Sequence, residues 1–507
     1  MDASRNLYAI LGIPPEATQE DIREAYRIMA RRFHPDANPN EGAGLQFRDI
    51  AMAYEILGDS GRRIQYDVAR REFRDEPSYF SLRVTPSKRV LTAFDEPQVV
   101  YLLVEVVPMH QSKKRSREDT RMNLTLVLDR STSMRGVRLD KVKIAAQQII
   151  EQLSPDDILS VVTFSDRADV VIPAQPVRDK ISLRAQVSMM RADGSTAIYQ
   201  GLAAGVEQVR KYAGPRWVNH VILLTDGRTY GDEEHCVNLA KKVGGEGISI
   251  SGMGIGEEWN DEFLDEIAKH TGGTSAYINS PAAVVSFLND RVRSLGDSFV
   301  ERMQLSVAPD ADVILESAFK LTPNPQPVEI SPQPIPIGGL EYNRNASVLI
   351  QLQMPPAKRN GFRTLCRLDV TGDVPAFNRQ AFKVLSDISV EVAENPEPED
   401  PPLAILDALG KLSLYKMQQK AEAALQSGKV EEATRRLENL ATRLLAAGEN
   451  DLAQMAMVEA RRVYNTHMLS EQGRKTLKFG TRMLLALPGP QREDKTSATP
   501  TDKSGGL

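Results

Sequence analysis

Between residues 123 and 253 the chain alternates strand-like and helix-like segments so strictly that few folds can accept it. Residues 123–129, 158–164, 218–225 and 248–253 are short apolar runs of strand length, and 140–153, 198–212 and 233–243 between them carry apolar side chains at helical spacing. Such alternation predicts parallel strands joined by crossover helices, hence a doubly wound, Rossmann-like sheet covered on both faces. Two further helices, over 260–270 and 281–295, complete the unit around a strand at 275–278.

The texture changes on both sides of this α/β unit. Phe80-Ser81-Leu82-Arg83-Val84 and the run from Val99 to Val107 precede it, and Met303-Gln304-Leu305-Ser306-Val307, the run from Ser347 to Leu352 and Arg367-Leu368-Asp369-Val370 follow it. These are strand patterns. We read them as one β-sandwich, residues 78–119 and 297–393, interrupted by the α/β unit of residues 120–296. Two separate small β domains are the other arrangement the pattern allows. Residues 394–402 are too rich in proline and acid to pack and read as a stiff linker. Leucine and alanine recur at helical spacing over 403–487, broken at Gly428 and Gly448, which predicts a bundle of three or four antiparallel helices. The stretch from Ala424 to Ala433 resembles the turn of a tetratricopeptide-type helical pair, but one weak match does not make an array. The polar tail, 488–507, is expected to be disordered.

Bulk composition excludes several classes of function. A formal charge of -5 gives no basic excess for nucleic acid. The two cysteines, Cys236 and Cys366, are too few and too far apart for a disulfide framework or a cysteine zinc site, which suits a reducing compartment. The N-terminus lacks a basic region followed by a long apolar stretch, and no apolar run is long enough to span a membrane. A cytoplasmic protein without membrane insertion is the expectation.

Residues 1–72 form the remaining unit. Ile22, Ala25, Tyr26, Met29 and Ala30 line one face of a helix whose other face carries Arg23, Arg27, Arg31 and Arg32. Pro35 and Asn38-Pro39-Asn40 then force a loop, and a second helical pattern runs from Phe47 to Leu57 before Gly58-Asp59. Two antiparallel helices with the loop at their tip are predicted. From the Tyr8-to-Gly12 opening through the basic helix, Phe33-His34-Pro35-Asp36, and the second helix ending in Arg62, Arg63, Tyr66 and Asp67, residues 5–70 resemble a J-domain. The resemblance implies docking to a DnaK-type chaperone, with His34, Pro35 and Asp36 stimulating its ATP hydrolysis and Arg23, Arg27, Arg31 and Arg32 binding its acidic surface. Proline restricts its own and the preceding backbone, so His34 and Asp36 sit on a stiff loop with little ordering cost. Arginine's planar fork suits carboxylates. No Gly/Phe-rich linker or cysteine zinc module follows, so client binding must come from elsewhere in the chain.

In the α/β unit, Asp129 ends an apolar strand at the edge where open α/β sheets bind ligands, and Ser131 and Ser133 follow at alternate spacing. Oxygen donors in that order suit a hard cation such as Mg2+, Mn2+ or Ca2+, although Asp-x-Ser-x-Ser alone is also an ordinary loop and helix-cap sequence. Asp193-Gly194-Ser195-Thr196 precedes another helix, and Val221-Ile222-Leu223-Leu224-Thr225-Asp226-Gly227 ends a second apolar strand in a carboxylate. In this order the three segments resemble a von Willebrand factor A domain over about residues 120–295 with an intact metal-ion-dependent adhesion site. By that resemblance Ser131, Ser133 and Thr196 coordinate the metal directly, Asp129 and Asp226 act directly or through water, and an acidic side chain of a protein ligand completes the site. Gly252-Met253-Gly254-Ile255-Gly256 lacks the spacing of a dinucleotide loop. His110, His220, His235, His270 and His467 show no metal-ligand spacing, and no nucleophile–base pair is evident. The expected function is therefore not enzymatic: a co-chaperone adaptor with Mg2+ as its first-choice ion, or a metal-dependent assembly or signalling scaffold in which the J-like unit only docks.

Overall fold

The computed structural model describes residues 6–71, 78–109, 121–228, 231–357 and 360–486. The tail expected to be disordered lies outside these, as does His110. The N-terminal unit has four helices rather than the predicted two: α1 (Leu7–Leu11), α2 (Gln19–Phe33), α3 (Glu41–Leu57) and α4 (Ser60–Arg71). α1 is too short to display a period, and only Gly58-Asp59 separates α4 from α3. α2 starts on a reciprocal cap in which Thr18 and Asp21 satisfy each other's backbone N–H groups. It packs on α3 with Tyr26 stacked on Tyr54, centroids 4.0 Å apart.

β1 (Phe80–Pro86), β2 (Val90–Thr92) and β3 (Gln98–Pro108) lead into the inserted unit. Its elements are β4 (Arg121–Asp129), α5 (Val137–Gln152), β5 (Ile158–Phe164), β6 (Ala168–Pro176), α6 (Lys180–Ser188), α7 (Ile198–Arg210) and β7 (Trp217–Thr225), then α8 (Glu233–Gly245), β8 (Ser249–Ile255), α9 (Asp261–Thr271), β9 (Ser275–Ile278) and α10 (Ala283–Gly296). The sheet order is β6-β5-β4-β7-β8-β9. One strand departs from the expected all-parallel sheet, since β6 runs antiparallel to β5 at the edge. A tight turn closed by Ser165 N–H to the Arg167 carbonyl makes this hairpin. An edge strand needs no continuous apolar run, which is why β6 gave no strong strand signal.

The chain then returns to β structure with β10 (Ser298–Pro309), β11 (Ile314–Thr322), β12 (Gln326–Val328), β13 (Ile335–Glu341), β14 (Ala346–Met354), β15 (Gly361–Val374) and β16 (Arg379–Ala393). Strands from both sides of the insertion share sheets, in the orders β1-β3-β14-β11-β12 and β13-β10-β15-β16-β2. Phe80, Leu102 and Val104 from before the insertion and Phe299, Ile350 and Leu368 from after it lie in one core. The flanks therefore form a single sandwich.

Both outer faces of that sandwich are covered. The β10-β15-β16 face carries the N-terminal unit. A Cβ on Gly42 would overlap the Val307 carbonyl, Gln46 donates to Asp369, and Lys383 pairs with Asp49 at 2.6 Å. Arg367, only 1% exposed, donates to the Ile10 carbonyl (2.9 Å), pairs with Asp387 (2.8 Å) and lies over the Phe33 ring. Truncating one partner of a buried pair costs about 3–5 kcal/mol, and Asp387 retains some solvent, so Arg367→Ala should cost near the lower end. Urea unfolding checks this, and hydrogen exchange should accelerate first in α1 and α2.

Beyond a stretch without regular structure over 394–402 come α11 (Leu403–Gln426), α12 (Val430–Ala446), α13 (Asn450–Thr466) and α14 (Glu471–Met483). α11 covers the other face of the sandwich, packing Ile405, Leu412 and Tyr415 on Leu103, Phe319 and Leu349. This second cover explains why β3 reads as a nearly continuous apolar run, broken only at Glu105, rather than an alternating one. The turns before α12 and α13 both place glycine, Gly428 and Gly448, at positive φ.

α14 lies on the inserted unit through charge. Arg474 and Lys478 pair with Asp261, and Arg482 with Asp265 at 2.7 Å. Burial acts to raise both carboxyls, but the facing cations outweigh it and hold both below the ordinary carboxylate range. A depressed folded-state pKa stabilises above the unfolded value and is lost as pH falls through the folded one. α14 should therefore stay docked at neutral pH and loosen only below about pH 4. Fluorescence of Trp259, which meets Phe479 of α14, reports this in a Trp217→Phe background. Among the described residues no helix is long and apolar enough to cross a membrane.

Candidate functional site

The amino ends of the parallel strands face the sandwich across a buried polar cluster of His220, Arg291, Glu301, Lys320 and Glu341, where burial pushes the Lys320 ammonium down to about 7. The carboxyl ends point away from it and remain open, with Thr132, Ser133, Arg135 and Ser195 exposed there.

Asp129 closes β4 with its side chain fully buried. Its Oδ1 accepts the Ser131 N–H (2.8 Å) and its Oδ2 the Thr225 hydroxyl (2.6 Å). The Ser131 and Ser133 hydroxyls are 3.0 Å apart, and Ser133 Oγ donates to Asp226 Oδ1 at 2.7 Å. Asp129, Ser131, Ser133 and Asp226 thus form one cluster, as the sequence predicted. Thr196 lies alongside: a Cβ on Gly227 would stand 3.3 Å from its Oγ1. Loop contacts hold the three segments together. Thr132 donates to the Gly194 carbonyl through both N–H and hydroxyl, and Asp193 N–H reaches the Arg130 carbonyl. Gly194 has φ +79°, and a Cβ there would overlap the Asp166 carboxylate that binds Ser195.

Two carboxylates are buried here, those of Asp129 and Asp226; Arg138, part exposed, pairs with Asp226 Oδ2 at 2.5 Å, whereas Asp129 is met by the Ser131 N–H and the Thr225 hydroxyl. Burial pushes the Asp129 carboxyl up to about 6, against the hydrogen bonds from Ser131 and Thr225. Among the described residues no three of His, Cys, Asp and Glu gather as a metal group. A cation here would therefore rest on carboxylate and hydroxyl oxygens, a donor set that fits a hard divalent ion. Sequence reasoning named Thr225 only as the residue before Asp226, without a role, and missed Arg138, in the first turn of α5, which belongs to no short motif.

The glycines of β8 serve packing rather than a phosphate loop. A Cβ on Gly254 would lie within the Trp259 ring, and one on Gly252 against Leu264. Of the remaining histidines, His220 bonds Ser251, His270 bonds Glu266, His235 meets Tyr199 and His467 caps α13.

At the N-terminal tip, His34 ends α2 and its Nδ1 accepts the Asp36 N–H at 3.2 Å while its ring meets Phe47 edge-on. The His34 side chain is 45% exposed and that of Asp36 91%. Pro35 and the side of α2 bearing Arg23, Arg27 and Arg31 are exposed as well. Arg32 departs from the predicted basic face. It pairs with Asp310 at 2.6 Å and Asp387 at 3.1 Å on the sandwich, leaving its side chain 19% exposed. Asn38 beside it donates to the Pro309 carbonyl at 3.0 Å. The docked side of the unit is therefore not the side that carries His34, Asp36 and the three exposed arginines.

Comparison with known proteins follows these divisions. Residues 6–67 match the family model of the DnaJ domain, 123–290 that of the von Willebrand factor type A domain, and 403–487 that of the Sll0103-like, C-terminal alpha-helical domain. Uncharacterized protein sll0103 of Synechocystis is 29% identical over 384 residues, 73% of this chain and 90% of that protein. Chaperone protein DnaJ of Staphylococcus epidermidis is 42% identical over 65 residues, which span 13% of this chain and only 17% of that protein. A solved structure, von Willebrand factor type A from Catenulispora acidiphila, superposes with a TM-score of 0.65 over 81% of this chain and 98% of its own at 17% identity, a likeness of fold.

Proposed function

We propose that this chain, which carries a DnaJ domain and a von Willebrand factor A domain on one polypeptide, is a co-chaperone adaptor without catalysis of its own. It stimulates the ATPase of a DnaK-type chaperone and holds a protein partner at a divalent-cation site. The observation that carries this reading is the placement of two open surfaces on one packed body. His34, Pro35, Asp36, Arg23, Arg27 and Arg31 stay exposed although the J-domain is docked, and the Asp129–Asp226 cluster opens at the end of the sheet opposite the sandwich.

Asp129, Ser131, Ser133, Thr196 and Asp226 would hold the ion, Mg2+ ahead of Mn2+ or Ca2+. When bound, it supplies positive charge for an acidic side chain of the partner. Arg23, Arg27 and Arg31 offer the chaperone's acidic surface charge at a distance, while the stiff tip presents His34 and Asp36.

Reciprocal co-purification tests the division of labour. His34→Gln should lose the chaperone's response yet keep the magnesium-dependent partner, and Asp129→Ala should do the reverse. Loss of both activities in either variant, with the fold intact by circular dichroism, would contradict it.

A further inference from the structure

The C-terminal helices reach the metal face through one loop. Residues 256–260 connect β8 to α9, and the ammonium of Lys475 on α14, itself 0% exposed, donates to the backbone carbonyls of Glu257 and Trp259, the latter at 2.6 Å. The same ammonium lies 4.5 Å above the Trp259 ring. That ring in turn presses on Gly254 and donates its Nε1–H to the Gly256 carbonyl at 2.8 Å. The loop is thus gripped from the sheet side by Trp259 and from the α14 side by Lys475.

Its outer edge faces two arginines beside Asp226. Glu258 offers its carbonyl to Arg228 Nε at 3.1 Å, and Arg228 follows Asp226 by two residues. A Cβ on Gly256 would stand 3.4 Å from Nη2 of Arg138, the residue whose Nη1 holds Asp226. A buried ammonium satisfied mainly by backbone carbonyls is an expensive way merely to fasten a helix, and burial pushes Lys475 down to about 8. Arg474, Lys478 and Arg482 already fasten α14 through carboxylates.

We propose that Lys475 is a positioning residue for the Asp226 side of the cation site, acting through the 256–260 loop on Arg228 and Arg138. This rests on the metal-binding reading above. It gives the C-terminal helical domain a role at that site: fixing the geometry of one carboxylate from behind.

The test uses the full chain with Lys475→Met, Lys475→Arg and Arg228→Ala, and two readouts. Without metal, Lys475→Met should speed hydrogen exchange at 256–260 and also at 226–228. With Mn2+ as probe, it should weaken binding by about threefold or more, in the range of remote coupling residues. Lys475→Arg should restore both. Arg228→Ala cuts the link beyond α14, so it should reproduce the change at 226–228 even if Lys475→Met folds poorly. Faster exchange confined to 256–260, with 226–228 and Mn2+ affinity unchanged, overturns the proposal, as does an Arg228→Ala variant indistinguishable from wild type. If wild type binds no Mn2+, the metal reading fails, whereas the exchange data still decide whether the loop is coupled to Asp226.

Discussion

Replacing His34 by glutamine should reduce the ATP turnover of a DnaK-type chaperone to the rate it shows alone. The imidazole has two fixed contacts, the Asp36 N–H and the edge of Phe47, which hold the tip in one conformation. Glutamine keeps a polar group but not the ring, so the loop loses that brace and the surface presented to the chaperone changes. The fold should not suffer. The His34 side chain is 45% exposed and takes no part in the anchoring contacts of Arg367, Gln46 and Lys383, and surface changes of this kind stay within about 0.5 kcal/mol. A single-turnover ATPase assay measures the effect. Stimulation equal to wild type removes the co-chaperone reading; binding by the wild-type chain without stimulation leaves only the docking-module scaffold.

Asp129→Ala should weaken Mg2+ and Mn2+ binding by more than about 100-fold, beyond the 10–100-fold typical of outer-shell partners. Asp129 is the most deeply embedded acid of the cluster, and its burial makes the negative charge costly unless a cation faces it. Alanine also leaves the Ser131 N–H and Thr225 hydroxyl without their acceptor, at about 1–3 kcal/mol of stability. Asp129→Asn separates the two effects, since it retains an acceptor oxygen but not the charge. Calorimetry should find both variants without measurable binding and the asparagine closer to wild type in melting temperature. Unchanged binding in either places the ion elsewhere.

The strands that hold this site were legible because β4 and β7 are buried on both faces and are mostly apolar over their last residues, 126–128 and 221–224. β6 and α6 were not, since the edge strand buries only Ile172 and the short helix only Leu183 and Val187, too few apolar positions to show a period. Four of the five proposed ligand residues are joined by hydrogen bonds and Thr196 sits beside Gly227, so motif order was a good guide to proximity. Arg32 shows where periodicity fails. Helical spacing puts it beside the basic face, but its acceptors, Asp310 and Asp387, are 278 and 355 residues away, and no local pattern reports such pairs. Arg138 and Lys475 were missed for the same reason, each meaningful only through a partner brought close by the fold. The covering of both sandwich faces left a trace in β3, whose run from Val99 to Val107 is interrupted only by Glu105.

The central claim is that one molecule bridges a chaperone and a metal-held partner. It is tested by capturing the chain through an immobilised DnaK-type chaperone in ATP, with cell extract supplied as the source of partner, once with Mg2+ and once after the captured complex is washed with a magnesium-selective excess of chelator. The bridging reading predicts that the chain stays on the chaperone long enough to retain a defined partner in Mg2+, and that chelator or Asp129→Ala releases that partner while the chain itself is recovered with a chaperone preloaded in the same way. A partner retained equally in chelator and by Asp129→Ala, or none recovered with wild type in Mg2+, contradicts it.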